Sequence, residues 1–203
     1  MKNFKRVLIT GGAQRIGSSI TKHLANKGFV VISVNYRLGI GYGFEFHNPV
    51  DGGTKGASEY RDVKAAGLWL NQQNNIDKDR IYVYGGSYGG YAATQGPMMR
   101  PDLFKCAISE AGLYDINAQY SSGDIKMMRG GRKFLEDAFG DGEKAEDMSP
   151  INYAYKLKTP YMLIHGKKDV RTPYKEAEAF MKAMDKNGIK YEKMIIEKET
   201  HGF

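Results

Sequence analysis

Short apolar runs alternate along the chain with stretches of helical spacing, and glycine marks many of the junctions. Residues 5–10 and 29–34 read as strands, the second nearly all apolar, as in a strand covered on both faces. Between them Ile16, Ile20 and Leu24 recur on one helical face and Gly28 follows as a stop. A second helix is predicted over residues 58–71, with Val63, Ala66, Gly67 and Leu70 facing inward. Residues 81–84, 104–109, 159–166 and 191–196 have the β-favouring, apolar character of further strands. A helix begins near Tyr91, and an amphipathic one over residues 175–186 turns Ala179, Phe180, Ala183 and Met184 inward before Asn187 and Gly188 end it. Two stretches break the alternation. Residues 36–53 form a glycine-rich loop, and residues 110–158, rich in Tyr, Met and Gly, are expected as short helices over the sheet edge, a cap or pocket wall. The order predicts an α/β protein, a doubly wound and mostly parallel sheet of about six strands. One domain is expected over residues 1–203, with residues 1–37 a βαβ unit integrated in the same sheet.

Composition narrows the class. A chain of 203 residues with 41% hydrophobic and 26% charged residues is ample for a buried core. The net charge of +7 comes from basic residues scattered among acids, so a solvated surface is expected and no nucleic-acid partner. The single cysteine, Cys106, excludes an internal disulfide and reads as a core residue. No apolar run suits a signal peptide or a membrane span, so a cytoplasmic protein with no membrane partner is expected.

The chemistry centres on Gly85-Gly86-Ser87-Tyr88-Gly89, which follows a strand and precedes a helix. That order is a nucleophile elbow: a sharp turn that lifts a serine hydroxyl out of the sheet at a helix N-terminus. Glycines two before and two after the serine leave room where a Cβ would strike a neighbour. The bland alternative is a tight turn in any parallel sheet. A serine nucleophile needs a base, and the base needs an orienting acid, in the chain order Ser, Asp or Glu, His. Of the four histidines, His23 and His47 precede Ser87, and His47 reads as a solvated loop residue. His165 ends a strand before any suitable acid, and His201 alone satisfies the order, its alternative being a frayed terminus. Asp169 falls just past the preceding strand, although a surface ion pair with Lys167, Lys168 or Arg171 is also open to it. Oxyanion donors are expected at the backbone N–H of Tyr88 and in the turn after the first strand, at Gly12. No metal and no cofactor are expected.

Two resemblances extend this reading. The first turn, Thr10-Gly11-x-x-x-Arg15-x-Gly17, resembles the nucleotide-binding turn of short-chain dehydrogenases, with Arg15 in place of a glycine. Arg37 falls where such enzymes hold the 2′-phosphate of NADP. Under that alternative Gly11, Arg15, Gly17 and Arg37 would bind the cofactor. Its Tyr-x-x-x-Lys spacing occurs at Tyr60 and Lys64, which read instead as helix-surface residues.

The second resemblance covers residues from about 24 to the end. The matching stretches are Val34-Asn35-Tyr36-Arg37-x-x-x-Gly41-Tyr42-Gly43, the elbow, Pro101-Asp102-x-Phe104, Ile164-His165-Gly166-x-x-Asp169-x-Arg171-x-Pro173 and Glu199-Thr200-His201-Gly202-Phe203. In this order they resemble the catalytic domain of the prolyl-oligopeptidase family of serine peptidases, near its acylaminoacyl-peptidase and dipeptidyl-peptidase-like branch. The resemblance implies an α/β-hydrolase fold, Ser87 as nucleophile, Asp169 as orienting acid and His201 as general base. It places Leu113, Tyr114 and Tyr120 in the substrate pocket and implies a peptide or small ester substrate. The family's propeller domain is absent from this sequence, its His-Gly-Gly-Pro turn appears as Thr10-Gly11-Gly12-Ala13, and its last helix, which follows the histidine, is missing. An inactive hybrid scaffold is the remaining alternative, and an uncovered sheet face would suit a homodimer.

Overall fold

The strands expected from the apolar runs are β1 (Lys5–Thr10), β2 (Phe29–Val34), β3 (Ile81–Gly86), β4 (Cys106–Glu110), β5 (Tyr161–Gly166) and β6 (Glu192–Ile196). The computed structural model describes residues 5–10, 16–140 and 143–202, with 5–10 and 16–18 through their backbone. All the pairings are parallel, in one sheet of order β2-β1-β3-β4-β5-β6. The chain therefore starts inside the sheet, moves out to β2, and crosses back over β1 to β3. That reversal is the switch point of a doubly wound sheet, and ligands bind at the carboxyl ends of strands beside it. Ser87 follows β3 at this point.

The connecting helices are α1 (Ile16–Asn26), α3 (Ser58–Gln72), α4 (Tyr88–Met99) and α8 (Tyr174–Lys186), with a single turn of helix, α2 (Phe44–His47), in the glycine-rich loop. The main core joins Val63 and Leu70 of α3, Ala92, Ala93 and Met98 of α4, and Ala177, Phe180, Met181 and Met184 of α8 to Ile81, Val83, Ala107 and Leu163 of the strands. Helices α3, α4 and α8 thus share one sheet face, and right-handed crossovers place α1 on the other. Phe104, fully buried, lies against Gly67 of α3 and Gly96 of α4. Truncating such a ring costs about 3–5 kcal/mol.

The long stretch between β4 and β5 folds as α5 (Ile116–Ser121), α6 (Gly131–Phe139) and α7 (Glu143–Met148), with 3-10 turns at Ile125–Met127 and Pro150–Lys156. It buries Leu113, Ile116, Leu135, Ala138, Phe139 and Ala145 with Tyr91 of α4 in a second apolar cluster. The cap is therefore packed onto the helix that follows the elbow.

β2 is an edge strand whose residues are all half-buried, with α1 against one face and α3 against the other. Two expectations need correction. Tyr60 is buried in the core, not on the helix surface, because it lies on the side of α3 that faces α4. His47 is tied down, its Nδ1 lying 2.9 Å from the Leu38 carbonyl oxygen.

The tightest helix-to-strand approach falls at Gly90, three residues past the serine. A Cβ there would lie 2.8 Å from the Glu110 carbonyl oxygen and 2.9 Å from both Gly112 Cα and Ser109 Oγ. Gly90→Ala is expected to destabilise the fold by about 1–3 kcal/mol through overpacking. The denaturation midpoint of the variant measures this, and an unchanged midpoint would mean that α4 can lift off β4 freely.

Candidate active site

Ser87 has φ 56° and ψ −121°, a positive φ that non-glycine residues rarely adopt. Its N–H donates to the Glu110 carbonyl oxygen at 2.8 Å, which holds the turn against the end of β4. The strain is tolerated because strand β3 and helix α4 fix both sides of the residue. Ser87 caps α4, and Tyr88 is the first helical residue, so the Tyr88 N–H has no acceptor inside the helix.

Asp169 stands in the turn after β5, its side chain fully buried. Its Oδ1 accepts from the N–H groups of Arg171 and Thr172, both at 2.9 Å. Its Oδ2 lies 2.9 Å from Thr172 Oγ1 and 2.8 Å from His201 Nδ1. Burial opposes its charge, but the hydrogen bonds from His201 and Thr172 outweigh burial and lower its pKa. The carboxylate is thereby held ionised and oriented.

His201 follows β6 in a loop. Its backbone neighbourhood is anchored to the Asp169 turn: the N–H of Lys168 donates to the Glu199 carbonyl at 2.9 Å and that of Lys167 to Ile196 at 3.0 Å. Gly166 makes this approach possible, since a Cβ there would lie 2.5 Å from the Thr200 carbonyl oxygen and 2.6 Å from that of Glu199. With Asp169 accepting at Nδ1, the ring proton sits there. Nε2 then faces Ser87 Oγ at 2.8 Å as the acceptor. Asp169, His201 and Ser87 form one continuous hydrogen-bonded chain drawn from three separate loops.

The surface-ion-pair alternative for Asp169 gives way to this arrangement. Lys167 pairs with Glu197, and the Arg171 guanidinium pairs with Asp124 of the β4–β5 excursion. The nearby His165 has a different task. It is fully buried, its Nε2 lies 2.8 Å from the Thr172 carbonyl oxygen, and burial lowers its pKa. It is a neutral prop beneath the Asp169 turn.

The pocket residues separate. Tyr114 points into the core, stacked on Phe180 with ring centroids 4.8 Å apart and its hydroxyl 2.9 Å from Ser109 Oγ. It is fully buried and does not line an open pocket, because the helix beneath the sheet captures its ring. Leu113 is buried in the second apolar cluster. Tyr120 is half-buried, and its hydroxyl donates to the Gly140 carbonyl, so it braces α5 against the end of α6. Gly11, Gly12 and Arg15 lie outside the described residues, and Gly17 is described only as backbone in α1.

Arg37 is corrected as a phosphate ligand. Its N–H and Nε donate to Asp62 Oδ2 at 2.9 and 3.0 Å, and its Nη2 donates to Oδ1 at 2.8 Å. Asp51 lies 3.5 Å from Nη1. A guanidinium occupied by two carboxylates locks the loop after β2 onto α3 and offers little to a 2′-phosphate.

The sequence reading assigned no role to Gly166, Thr172 or Glu176. Thr172 has a sequence signal, since Asp-x-x-Thr before Pro173 is an aspartate-capped turn leading into a helix. Glu176 has none. It is buried in α8, Gln119 Nε2 donates to its Oε1 at 2.8 Å, and among the described residues no hydrogen-bond partner reaches its Oε2. Burial pushes its pKa up to about 8.

The fold agrees with that of known proteins. The model of the prolyl oligopeptidase family matches residues 17–203. The chain belongs to the prolyl oligopeptidase family. It is 35% identical over 166 residues to the uncharacterized peptidase YuxL of Bacillus subtilis, covering 81% of this chain and 25% of that protein. It is 31% identical over 185 residues to dipeptidyl aminopeptidase BIII of Pseudoxanthomonas mexicana, covering 89% of this chain and 27% of that protein. The acylaminoacyl peptidase of Pyrococcus horikoshii superposes with a TM-score of 0.84 at 27% identity, over 98% of this chain and 33% of that one. This member of the prolyl oligopeptidase family thus spans about a quarter of the length of these curated relatives. The family match runs through Gly17 and Arg37, residues that the nucleotide-binding alternative would need. Among the described residues, no helix is long and apolar enough to cross a membrane.

Two measurements test the supports of the site. Gly166→Ala would push residues 199–200, and His201 with them, and is expected to cut ester hydrolysis by about 100-fold, the cost of an ångström of misplacement. The melting temperature should fall far less; equal activity would mean that His201 is placed without Gly166. Glu176 keeps a proton in the folded chain that the unfolded chain releases near its ordinary 4.5, so its contribution to stability falls as pH rises from there to about 8. Glu176→Gln removes that slope. The melting temperature of the variant relative to the parent should rise between about pH 5 and pH 8 and level off above. A pH-independent difference would refute the buried proton.

Proposed function

We propose that this chain is the catalytic domain of a serine hydrolase that cleaves acyl bonds, in peptides or small esters, through an acyl-enzyme at Ser87. The observation that carries the reading is the unbroken path Asp169–His201–Ser87, with both links at 2.8 Å. His201 Nε2 takes the hydroxyl proton as Ser87 Oγ attacks the carbonyl carbon, and the carbonyl π electrons move onto its oxygen. Asp169 stabilises the imidazolium and fixes its tautomer. The Tyr88 N–H, beside Ser87 at the start of α4, is the donor suited to the developing oxyanion. Collapse of the tetrahedral intermediate expels the amine or alcohol, which takes the proton back from Nε2. Water then repeats the sequence on the acyl-enzyme and frees Ser87.

A peptide substrate is supported by the names of the relatives, a dipeptidyl aminopeptidase and an acylaminoacyl peptidase. The excursion over α5–α7, packed beside the elbow, is the natural wall for the acyl side chain, with Tyr120 its part-exposed aromatic.

The test is intact-mass labelling with a fluorophosphonate, together with p-nitrophenyl ester hydrolysis. One adduct per chain is expected on the parent and none on Ser87→Ala, and hydrolysis should fall by about 1,000-fold or more in that variant. A cooperatively melting parent that neither labels nor hydrolyses would sink the proposal and favour an inactive scaffold.

A further inference from the structure

Glu59 is a buried carboxylate that the triad does not use. It lies in the first turn of α3 with 2% of its surface exposed. Among the described residues no Lys, Arg or His nitrogen lies within ion-pair distance of it. Two donors converge on it instead. The Tyr88 hydroxyl donates to Oε1 at 3.1 Å, and the Gly53 N–H donates to Oε2 at 3.2 Å. An unpaired buried charge is costly unless each of its oxygens is satisfied, so these two bonds define where the carboxylate can sit.

Each donor leads to a different wall of the site. Gly53 is in a 3-10 turn with φ 49°, and a Cβ there would collide with the Ala138 carbonyl of α6. The next residue of α6, Phe139, stacks on the Tyr88 ring with centroids 5.7 Å apart, and Tyr36 stacks on the same ring at 6.0 Å. Tyr91 adds a tilted contact at 5.4 Å. The Tyr88 side chain is therefore gripped by rings along its length and by Glu59 at its tip. Burial first, and then the charge of Glu59, raise the Tyr88 pKa well above its usual value, so its hydroxyl remains a donor.

We propose that Glu59 is a positioning residue for the oxyanion donor: by holding the Tyr88 hydroxyl it sets the aim of the Tyr88 backbone N–H at the carbonyl oxygen of the substrate. This rests on the serine-hydrolase reading above. The side chain of Tyr88 is the lever, and its N–H, one residue from the nucleophile, is the working end. Glutamine is a poor substitute because it presents one acceptor and one donor to two donors.

The experiment is a double-mutant cycle of Glu59→Gln and Tyr88→Phe, read by p-nitrophenyl ester kinetics and by inhibition with an aryl boronic acid, which forms a tetrahedral adduct on serine. Glu59→Gln is expected to lower kcat by about 10-fold with KM nearly unchanged, since only transition-state alignment is lost. The boronic acid should weaken by the same factor, as it mimics that state. Tyr88→Phe should do likewise, and Glu59→Gln should have no further effect in that background. Tyr88→Phe keeps the ring packing and decides the matter even if Glu59→Gln folds poorly. Unchanged kcat and boronate inhibition in folded variants, or effects that multiply in the cycle, would overturn the proposal while leaving the hydrolase reading intact. A parent that shows neither hydrolysis nor fluorophosphonate labelling would remove both.

Discussion

The Asp169 carboxylate is the constraint on which the site depends. A charge fully removed from water needs every lone-pair direction answered, and here the answers come from several parts of the chain. Two are N–H groups of its own turn, one is the Thr172 hydroxyl, and the last is the imidazole of His201, 32 residues away. Satisfying the carboxylate therefore bends the β5 turn, fixes the start of α8 and draws in the loop after β6. Orientation of the base follows from the need to solvate the acid. Beneath the turn, neutral His165 holds the Thr172 carbonyl, so the support is itself hydrogen-bonded and uncharged.

The sheet brings these loops within reach of Ser87. Because the strand order reverses at β1, no crossover helix covers the carboxyl end of β3, and the strained serine can stand open there. The neighbouring strands β4, β5 and β6 then supply, in chain order, the cap, the acid and the base. Close approach between these pieces depends on missing side chains: Gly90 lets α4 rest on β4, and Gly166 lets the His201 loop cross the end of β5. At these two positions the glycine is required by the packing.

What was legible in the sequence was local or ordered along the chain. The β3–α4 elbow is read from eleven neighbouring residues, and the order of serine, acid and base is one-dimensional information. What was not legible depends on which way a side chain turns after packing. Tyr114 sits next to Leu113 at the mouth of the excursion, but the flat face of Phe180 on α8 draws its ring inward. Arg37 has the charge for a phosphate, yet Asp62 and Asp51, both distant in sequence, occupy it. A further close contact falls at Gly90, one residue past the last glycine of the elbow pattern.

Buried acids in this chain are sorted by their donors. Asp169 and Glu176 lie seven residues apart, and the Glu176 pKa is raised by burial first and then by the nearby charges of Asp115 and Asp169. Asp169 gathers four donor contacts and stays ionised below the usual carboxylate range. Glu176 has Gln119 on one oxygen and, among the described residues, no hydrogen-bond partner on the other, and it keeps its proton to about pH 8. Burial and the nearby negative charges keep Glu176 protonated, so only one of these two acids is charged. The neutral partner also has a mechanical role. Its bond to Gln119 joins α8 to α5, while the Arg171–Asp124 pair joins the acid turn to the same excursion. The excursion between β4 and β5 is therefore fastened at two points to the turn that orients the base.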